Sequence, residues 1–417
     1  MKIFSDLHIH SHYSRATSNQ MNLEQIEKYG KIKGLNLIGT GDFTHPLWFE
    51  ELKRNLREFE NSNLFRYKDI FFMLTAEVSN IYQQDGKIRK IHNVILAPNF
   101  EVAEQITEWL KTKGRVDYDG RPIFGFPVPE LIENLIQISK DIMIIPAHAW
   151  TPWFSIFGSK SGFDSVKECF QDQTKHIYAL ETGLSSDPAM NWRLSSLDKF
   201  ALISNSDSHS PWPWRLGREA NVFDTKMNYK EIINAIKQKD NKKFLFTIEV
   251  DPSYGKYHWD GHRNCNVFLE PKESLKYHDI CPVCKRTLTI GVLHRVEELS
   301  DREENFVPKN AIPFKKLIPL SELIATVYNT GVYTKKVWEI YNKLIKEFGS
   351  ELNILLETEK EKIKLIVGEK IAEIIIKNRK GKLKIQPGYD GIYGKLILNG
   401  KISRKLPQKR LSSFLSP

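Results

Sequence analysis

Short apolar runs recur through the first 250 residues and end on polar side chains of a few kinds. The runs near 36–38, 70–74, 142–145 and 200–203 have the length and the Ile, Leu, Phe and Met content of buried strands. Between them lie stretches with helical spacing: 22–33, which Asn22 caps, then 46–60, 101–113 and 128–139. Strands alternating with helices predict βα units around a parallel sheet or barrel. The pattern changes at Asp251. Residues 251–295 are rich in His, Cys, Trp and Tyr and lack long apolar runs, as expected of a small module held by a metal. Helical spacing returns at 321–328, 334–347, 350–357 and 361–377, with breaks at Gly331 and Gly349, and 383–398 is strand-like. Three domains are expected, over 1–250, 251–307 and 308–417.

The chain has 417 residues, 41% of them apolar, enough to fill a large core. No apolar run approaches the roughly 18–20 residues of a membrane span. The N-terminus enters the strand-like Lys2-Ile3-Phe4 directly, so no signal peptide and a cytoplasmic location are expected. Charge is uneven. Residues 308–417 hold 22 Lys+Arg against 10 Asp+Glu, and the remainder holds 39 against 41. A nearly neutral body with a basic appendage points to a polyanionic partner.

Six short stretches carry metal-ligand residues, and several close a strand-like run. They are Asp6-Leu7-His8-Ile9-His10, Gly41-Asp42-Phe43-Thr44-His45, Ala76-Glu77, Ile91-His92-Asn93, Pro146-Ala147-His148 and Ser206-Asp207-Ser208-His209. His8 and His10 alternate along a strand and face one side together, and Asp6 on that side is expected to orient a histidine. Asp207 and His209 repeat the spacing, and Glu77 is a carboxylate able to bridge two ions. The N/O set suits zinc, manganese or iron. Such ions lower the pKa of a bound water and cancel charge on phosphate oxygens, so hydrolysis of phosphate esters is the expected chemistry.

This ordered set resembles the polymerase-and-histidinol-phosphatase (PHP) family of metal-dependent phosphoesterases over roughly residues 1–250. The resemblance implies a distorted (β/α)7 barrel with three metals. It implies one ion on His8, His10, Glu77 and Asp207, a second on Glu77, His92 and His148, and a third on His45 and His209. Glu77, Asp207, His8 and His10 are the expected catalytic core. The chain departs from the family where Asp42 and His45 are not adjacent, and where Ser14-Arg15-Ala16-Thr17 offers no ligand after His10. Asp42 is the alternative to His45, and His12 is a substitute candidate.

His262 and Cys265 are followed after 15 residues by Cys281-Pro282-Val283-Cys284, a spacing that signals a closed, structural zinc site. His258 and His278 are the alternative fourth ligands. Cys169 has no partner and reads as a buried apolar residue.

Stretches 5–11, 40–46, 207–211, 257–265 and 291–296, with the turn Gly388-Tyr389-Asp390-Gly391-Ile392-Tyr393-Gly394, resemble the endonuclease Q family along the whole chain. That resemblance implies nicking of DNA 5′ of hypoxanthine, uracil, xanthine or an abasic site, leaving a 3′-hydroxyl and a 5′-phosphate. A base inside a duplex must be extruded to be recognised, and aromatic side chains hold flipped bases by stacking. Trp150 and Trp153 follow His148, and Trp212 and Trp214 follow His209, so these four are candidates to face the substrate. Arg15, Arg193, Arg215 and Arg218 are candidates for its phosphate, Arg193 and Arg215 foremost. Zinc is expected at the structural site and in the barrel, with Mg²⁺ or Mn²⁺ as alternatives in the barrel. The basic region, including 377–382, would grip DNA phosphates. The family's work with the replication clamp makes 409–415 a candidate docking peptide. A monomer is expected. The competing readings are a small-molecule phosphatase, which leaves the zinc module and basic tail unexplained, and a nonenzymatic DNA-binding adaptor, which leaves the ligand set unexplained.

Overall fold

Strand Lys2–Asp6 begins the barrel in a computed structural model that describes residues 1–398 and the strand Lys401–Ile402. It pairs in parallel with Leu37–Gly39, which pairs in parallel with the long strand Ile70–Gln84. Asp85 and Gly86 both take positive φ (53° and 72°), the geometry of a two-residue hairpin turn with Asp-Gly at its centre. The chain therefore reverses, and Lys87–Ala97 runs antiparallel to Ile70–Gln84. Met143–Pro146 pairs antiparallel with Lys87–Ala97, which restores the original direction. Ala179–Glu181 follows, joined by the Ala149 N–H to the Glu181 carbonyl (2.9 Å), and pairs in parallel with Ala201–Ile203. The ring closes where Ile9 bridges Ser208 and the His10 N–H donates to the Ser208 carbonyl at 3.0 Å. Seven strands thus circle one core with the fourth reversed, a distorted α/β barrel.

Outside the ring, Ala220–Asp224 pairs antiparallel with Lys2–Asp6, and Phe244–Glu249 continues that sheet. Phe314–Lys316 then joins Phe244–Glu249 in parallel, Thr247 opposite Phe314. The expected boundary at 308 therefore does not separate two sheets, because a strand beyond it belongs to the barrel's own sheet.

Helix Leu23–Lys33 starts where the Asn22 side chain accepts from the Gln25 N–H. Helix Pro46–Asn55 stops short of the expected 60. Leu56 turns extended and Arg57–Glu58 pairs with Phe65–Tyr67. Phe100–Lys113 and Val128–Ile138 lie where helical spacing places them. The C-terminal region packs Leu320–Tyr328, Lys335–Phe348, Glu351–Leu356, Lys360–Val367 and Glu369–Arg379. The single helix expected over 361–377 is two, because Gly368 sits at φ 82°. A buried ion pair fastens this region to the barrel. Lys33 Nζ lies 2.7 Å from Glu351 Oε1, and the Tyr341 hydroxyl donates to Glu351 Oε2 at 2.8 Å.

Between barrel and helices lies a small module. Its hairpin pairs Asp260–His262 with Val267–Leu269, and helix Val292–Leu299 docks it on the barrel. Asp390, in the last described turn, clasps it by accepting from the Arg263 N–H (2.7 Å) and the Thr289 hydroxyl (2.7 Å). No helix among the described residues is long and apolar enough to cross a membrane. The candidate docking peptide 409–415 lies outside the described residues.

Candidate metal centre

His8 and His10 follow the first strand and point into the mouth of the ring. Glu77 rises from Ile70–Gln84 between two groups of ligands. Its Oε2 lies 3.7 and 3.3 Å from the Nε2 atoms of His8 and His10, and Asp207 Oδ1 stands 3.6 and 3.1 Å from the same nitrogens. Its Oε1 lies 2.8 Å from His92 Nδ1 and 3.2 Å from His148 Nε2, which are 3.3 Å apart. Two ligand atoms on one tetrahedral ion, each about 2.1 Å from it, stand about 3.4 Å apart. The two groups His8/His10/Glu77/Asp207 and Glu77/His92/His148 therefore have ion-holding dimensions and share Glu77. His8 Nε2, His10 Nε2 and Asp207 Oδ1 are buried and make no hydrogen bond, as atoms awaiting a cation would.

Buried carboxylates fix the ring orientations. Glu181 holds His8 Nδ1 (3.1 and 3.0 Å), and Asp42 holds His10 Nδ1 (2.9 Å). Asp6, expected to orient a histidine, instead accepts from Ser206 and from the Gly217 N–H (2.8 Å), and so shapes the loop that carries Asp207. Burial raises its pKa to about 6. Asp42, His148 and Asp207 all take positive φ (50°, 31° and 46°), a concentration of strain at one mouth. Gly183, at φ 63°, lies under His148, where a Cβ would come within 2.6 Å of the histidine Cβ.

The charges explain the histidines. Burial disfavours the charged forms of His8 and His10, but the carboxylates facing them reverse this and raise both pKa values well above the usual range. Burial raises Glu77 too, and His92, Arg121 and His8 overcome it, holding the carboxylate ionised. His92 is pulled down to about 4, mainly by burial. The carboxylate charge in the cluster is thus offset by imidazole protons and by Arg121.

The expected third pair is drawn into neither of these two groups. Among the described residues His45 and His209 join no group of three ligands. His45 Nε2 faces the Asp117 carbonyl (3.2 Å) and its ring stacks on Tyr13, while His209 packs on the His10 ring with centroids 4.5 Å apart. His12 Nδ1 faces the Met21 carbonyl at 3.0 Å. Three of the substrate candidates are committed elsewhere. Trp150 is buried with its Nε1 donating to Asn191 (2.8 Å), Arg193 forks onto Glu297 (2.8 and 3.0 Å), and Arg218 donates to the Ser206 carbonyl (3.0 Å). Trp212 and Trp214 stack on each other at 5.8 Å, and Trp153 is exposed. Glu181 and Arg121 escaped the sequence reading. Glu181 closes a strand as Asp6 does, which is a usable signal. Arg121 has none of its own.

A cavity of about 490 Å³ lies against the segment that follows Asp207. Arg218, bonded to the residue before Asp207, lines it with Trp214, Arg215, Tyr254, Tyr333 and Tyr393. In the module, His262, Cys265, Cys281 and Cys284 converge, with His262 Nδ1 3.5 Å from Cys284 Sγ. Neither His258 nor His278 belongs to that group. Cys169 is buried.

A family profile described as "MJ0043 C-terminal domain" matches residues 319–382. The chain is 36% identical to the uncharacterized protein MJ0043 of Methanocaldococcus jannaschii over 60% of its own length and 31% of that protein's. It is 30% identical to the uncharacterized protein YqxK of Bacillus subtilis over 95% of its length and 99% of the relative's. The crystal structure of the lesion-specific endonuclease PfuEndoQ from Pyrococcus furiosus superposes with a TM-score of 0.86 at 35% identity, covering 95% of both chains. A structure of endonuclease Q with a 27-mer duplex carrying an abasic lesion at the active site also gives 0.86, at 34% identity over 98% of this chain and 99% of that one. The chain belongs to the endonuclease Q family. Endonuclease Q chains match it end to end, whereas it spans about a third of the M. jannaschii relative.

Proposed function

We propose that this chain is a metal-dependent DNA repair endonuclease that cuts the phosphodiester 5′ of hypoxanthine, uracil, xanthine and abasic sites. The observation that carries this reading is the Glu77-centred double ligand group, in a chain that endonuclease Q structures match along its length. His8, His10, Glu77 and Asp207 would hold one ion, and Glu77, His92 and His148 a second. Bound there, zinc, Mn²⁺ or Mg²⁺ would supply an activated water and neutralise the phosphate. Glu181 and Asp42 keep the His8 and His10 rings turned to the mouth, and Asp6 keeps the Asp207 loop in place. Water adds to phosphorus, the bond to the 3′ oxygen breaks, and the proton ends on the new 3′-hydroxyl, leaving a 5′-phosphate. The cavity beside the mouth lies within the roughly 300–1,000 Å³ usual for small-ligand sites, and its Trp and Tyr walls suit an extruded base. His262, Cys265, Cys281 and Cys284 form a set that suits a structural zinc. The exposed Lys377, Lys380 and Lys382 would meet DNA phosphates.

The test uses end-labelled duplexes with one deoxyinosine, deoxyuridine or abasic site beside an unmodified control, with each metal supplied. One nick 5′ of the lesion, absent with Glu77→Ala, is expected. Turnover of a small phosphomonoester without lesion-dependent cutting would replace this reading with a phosphatase. DNA binding unchanged in Glu77→Ala, with no cutting by either protein, would leave an adaptor.

A further inference from the structure

Sheet register brings Arg121 to the metal centre. Ile123 and Phe124 pair in parallel with Ser79 and Asn80. Two residues back along both chains, Arg121 stands opposite Glu77 on the same side of the pleat. Its Nη1 donates to Glu77 Oε2 at 3.0 Å. The loop below has no slack. The Gly120 N–H donates to the Tyr13 carbonyl (3.1 Å), and a Cβ at Gly120 would come within 2.3 Å of Asp42 Oδ2. The Arg121 N–H donates to Asp119 Oδ1 at 3.1 Å. The side chain is 26% exposed, so its guanidinium is not sealed off by the contact with Glu77.

Both oxygens of Glu77 are already shared, Oε1 by His92 and His148 and Oε2 by His8 and His10. A carboxylate spanning two cations has little charge left for a guanidinium. Beside those cations the Arg121 charge is stabilised by an incoming anion, and its planar fork matches phosphate oxygens. Of the other candidate arginines, Arg215 lines the neighbouring cavity and three are turned to other partners. Arg193 is held by Glu297, Arg218 by the Ser206 carbonyl, and Arg15 points out at the surface towards Asp119. We infer that Arg121 grips a non-bridging oxygen of the phosphate being cut. This rests on the endonuclease reading and names a contact within that site. Arg121 moves no proton.

The experiment compares wild type with Arg121→Gln, as the full chain, on an abasic duplex whose cut-site phosphate is either natural or replaced by a methylphosphonate. Cutting is followed with Mn²⁺, and binding with Ca²⁺ in its place. Arg121→Gln is expected to cut on the order of 10²–10³-fold more slowly, with unchanged bound metal and unchanged melting temperature. The wild-type binding penalty for the methylphosphonate should shrink by roughly 10-fold in the variant. A penalty of unchanged size overturns the contact. Loss of bound metal in the variant also overturns it, and makes Arg121 a support for Glu77. If neither protein cuts lesion DNA, the same pair is compared on bis(p-nitrophenyl) phosphate, a diester without a base. A matching loss there retains Arg121 and discards the lesion reading, whereas equal turnover overturns Arg121.

Discussion

Glu181 ties the two ligand groups of the centre together from behind. It is buried, and besides His8 Nδ1 it accepts from the His148 N–H and from Asn205 Nδ2, both at 2.8 Å. One group thus orients histidines from both ion groups. Glu181→Gln keeps the shape and loses the charge, and its metal affinity should fall by roughly 10–100-fold. Metal titration of the apo protein checks this, and an unchanged affinity would sink the orienting role. The ligands themselves were legible because strand alternation with a period of two makes His8-Ile9-His10 a two-ligand face by geometry alone. Arg121 was not legible, since it meets Glu77 through a pairing that no local pattern announces. Trp150 shows the opposite failure. It lies two residues past His148, yet its ring packs at 4.5 Å on Phe157 in the core, because adjacency in sequence does not say which way a loop residue faces.

Among the elements, the metal module combines its ligands with a buried polar pair. Asp260 accepts from His294 Nδ1 (2.6 Å) and from the Gly291 N–H (2.7 Å), and its hydrogen bond raises the His294 pKa. A histidine raised on folding stabilises fully below its unfolded value of about 6.5, and that stabilisation is lost as pH climbs through the folded value. Thermal unfolding from pH 6 to 9 should therefore show a decline that Asp260→Asn lacks. A parallel decline in both proteins would refute the assignment. Helix Glu369–Arg379 gives a second case. Gly368 holds a left-handed φ with open space around its Cα, so Gly368→Ala meets strain without a clash and should cost about 1 kcal/mol in denaturant unfolding. The four expected helices of this region became five, because a glycine inside an amphipathic run is compatible with continuation or a break, and the backbone angle that decides is set by tertiary packing. The CxxC spacing, by contrast, was readable, since two thiols three residues apart can face one ion.

For the whole molecule, the basic C-terminal region is interlocked with the barrel. Glu351→Gln removes the charge opposite buried Lys33, which keeps its bond to the Pro213 carbonyl, and should destabilise the protein by about 3–5 kcal/mol, with the loss seen in global unfolding. Truncation at 308 would strip Phe314–Lys316 from the barrel's sheet, so DNA gripping is better tested by charge. Replacing exposed Lys377, Lys380 and Lys382 with Gln should lower the salt dependence of DNA binding by about 0.9 in log–log slope for each phosphate left without its cation. An unchanged slope would place the DNA surface elsewhere. The clasp of Asp390 on Arg263 and Thr289 adds a constraint in time. The four metal ligands of the module are all present once Cys284 is made, and Asp390 follows about a hundred residues later. At synthesis rates of about 5–20 residues per second, roughly 5–20 s separate the two events. An ion held by these four would therefore have time to bind well before the clasp arrives, and would shield the thiols during that interval.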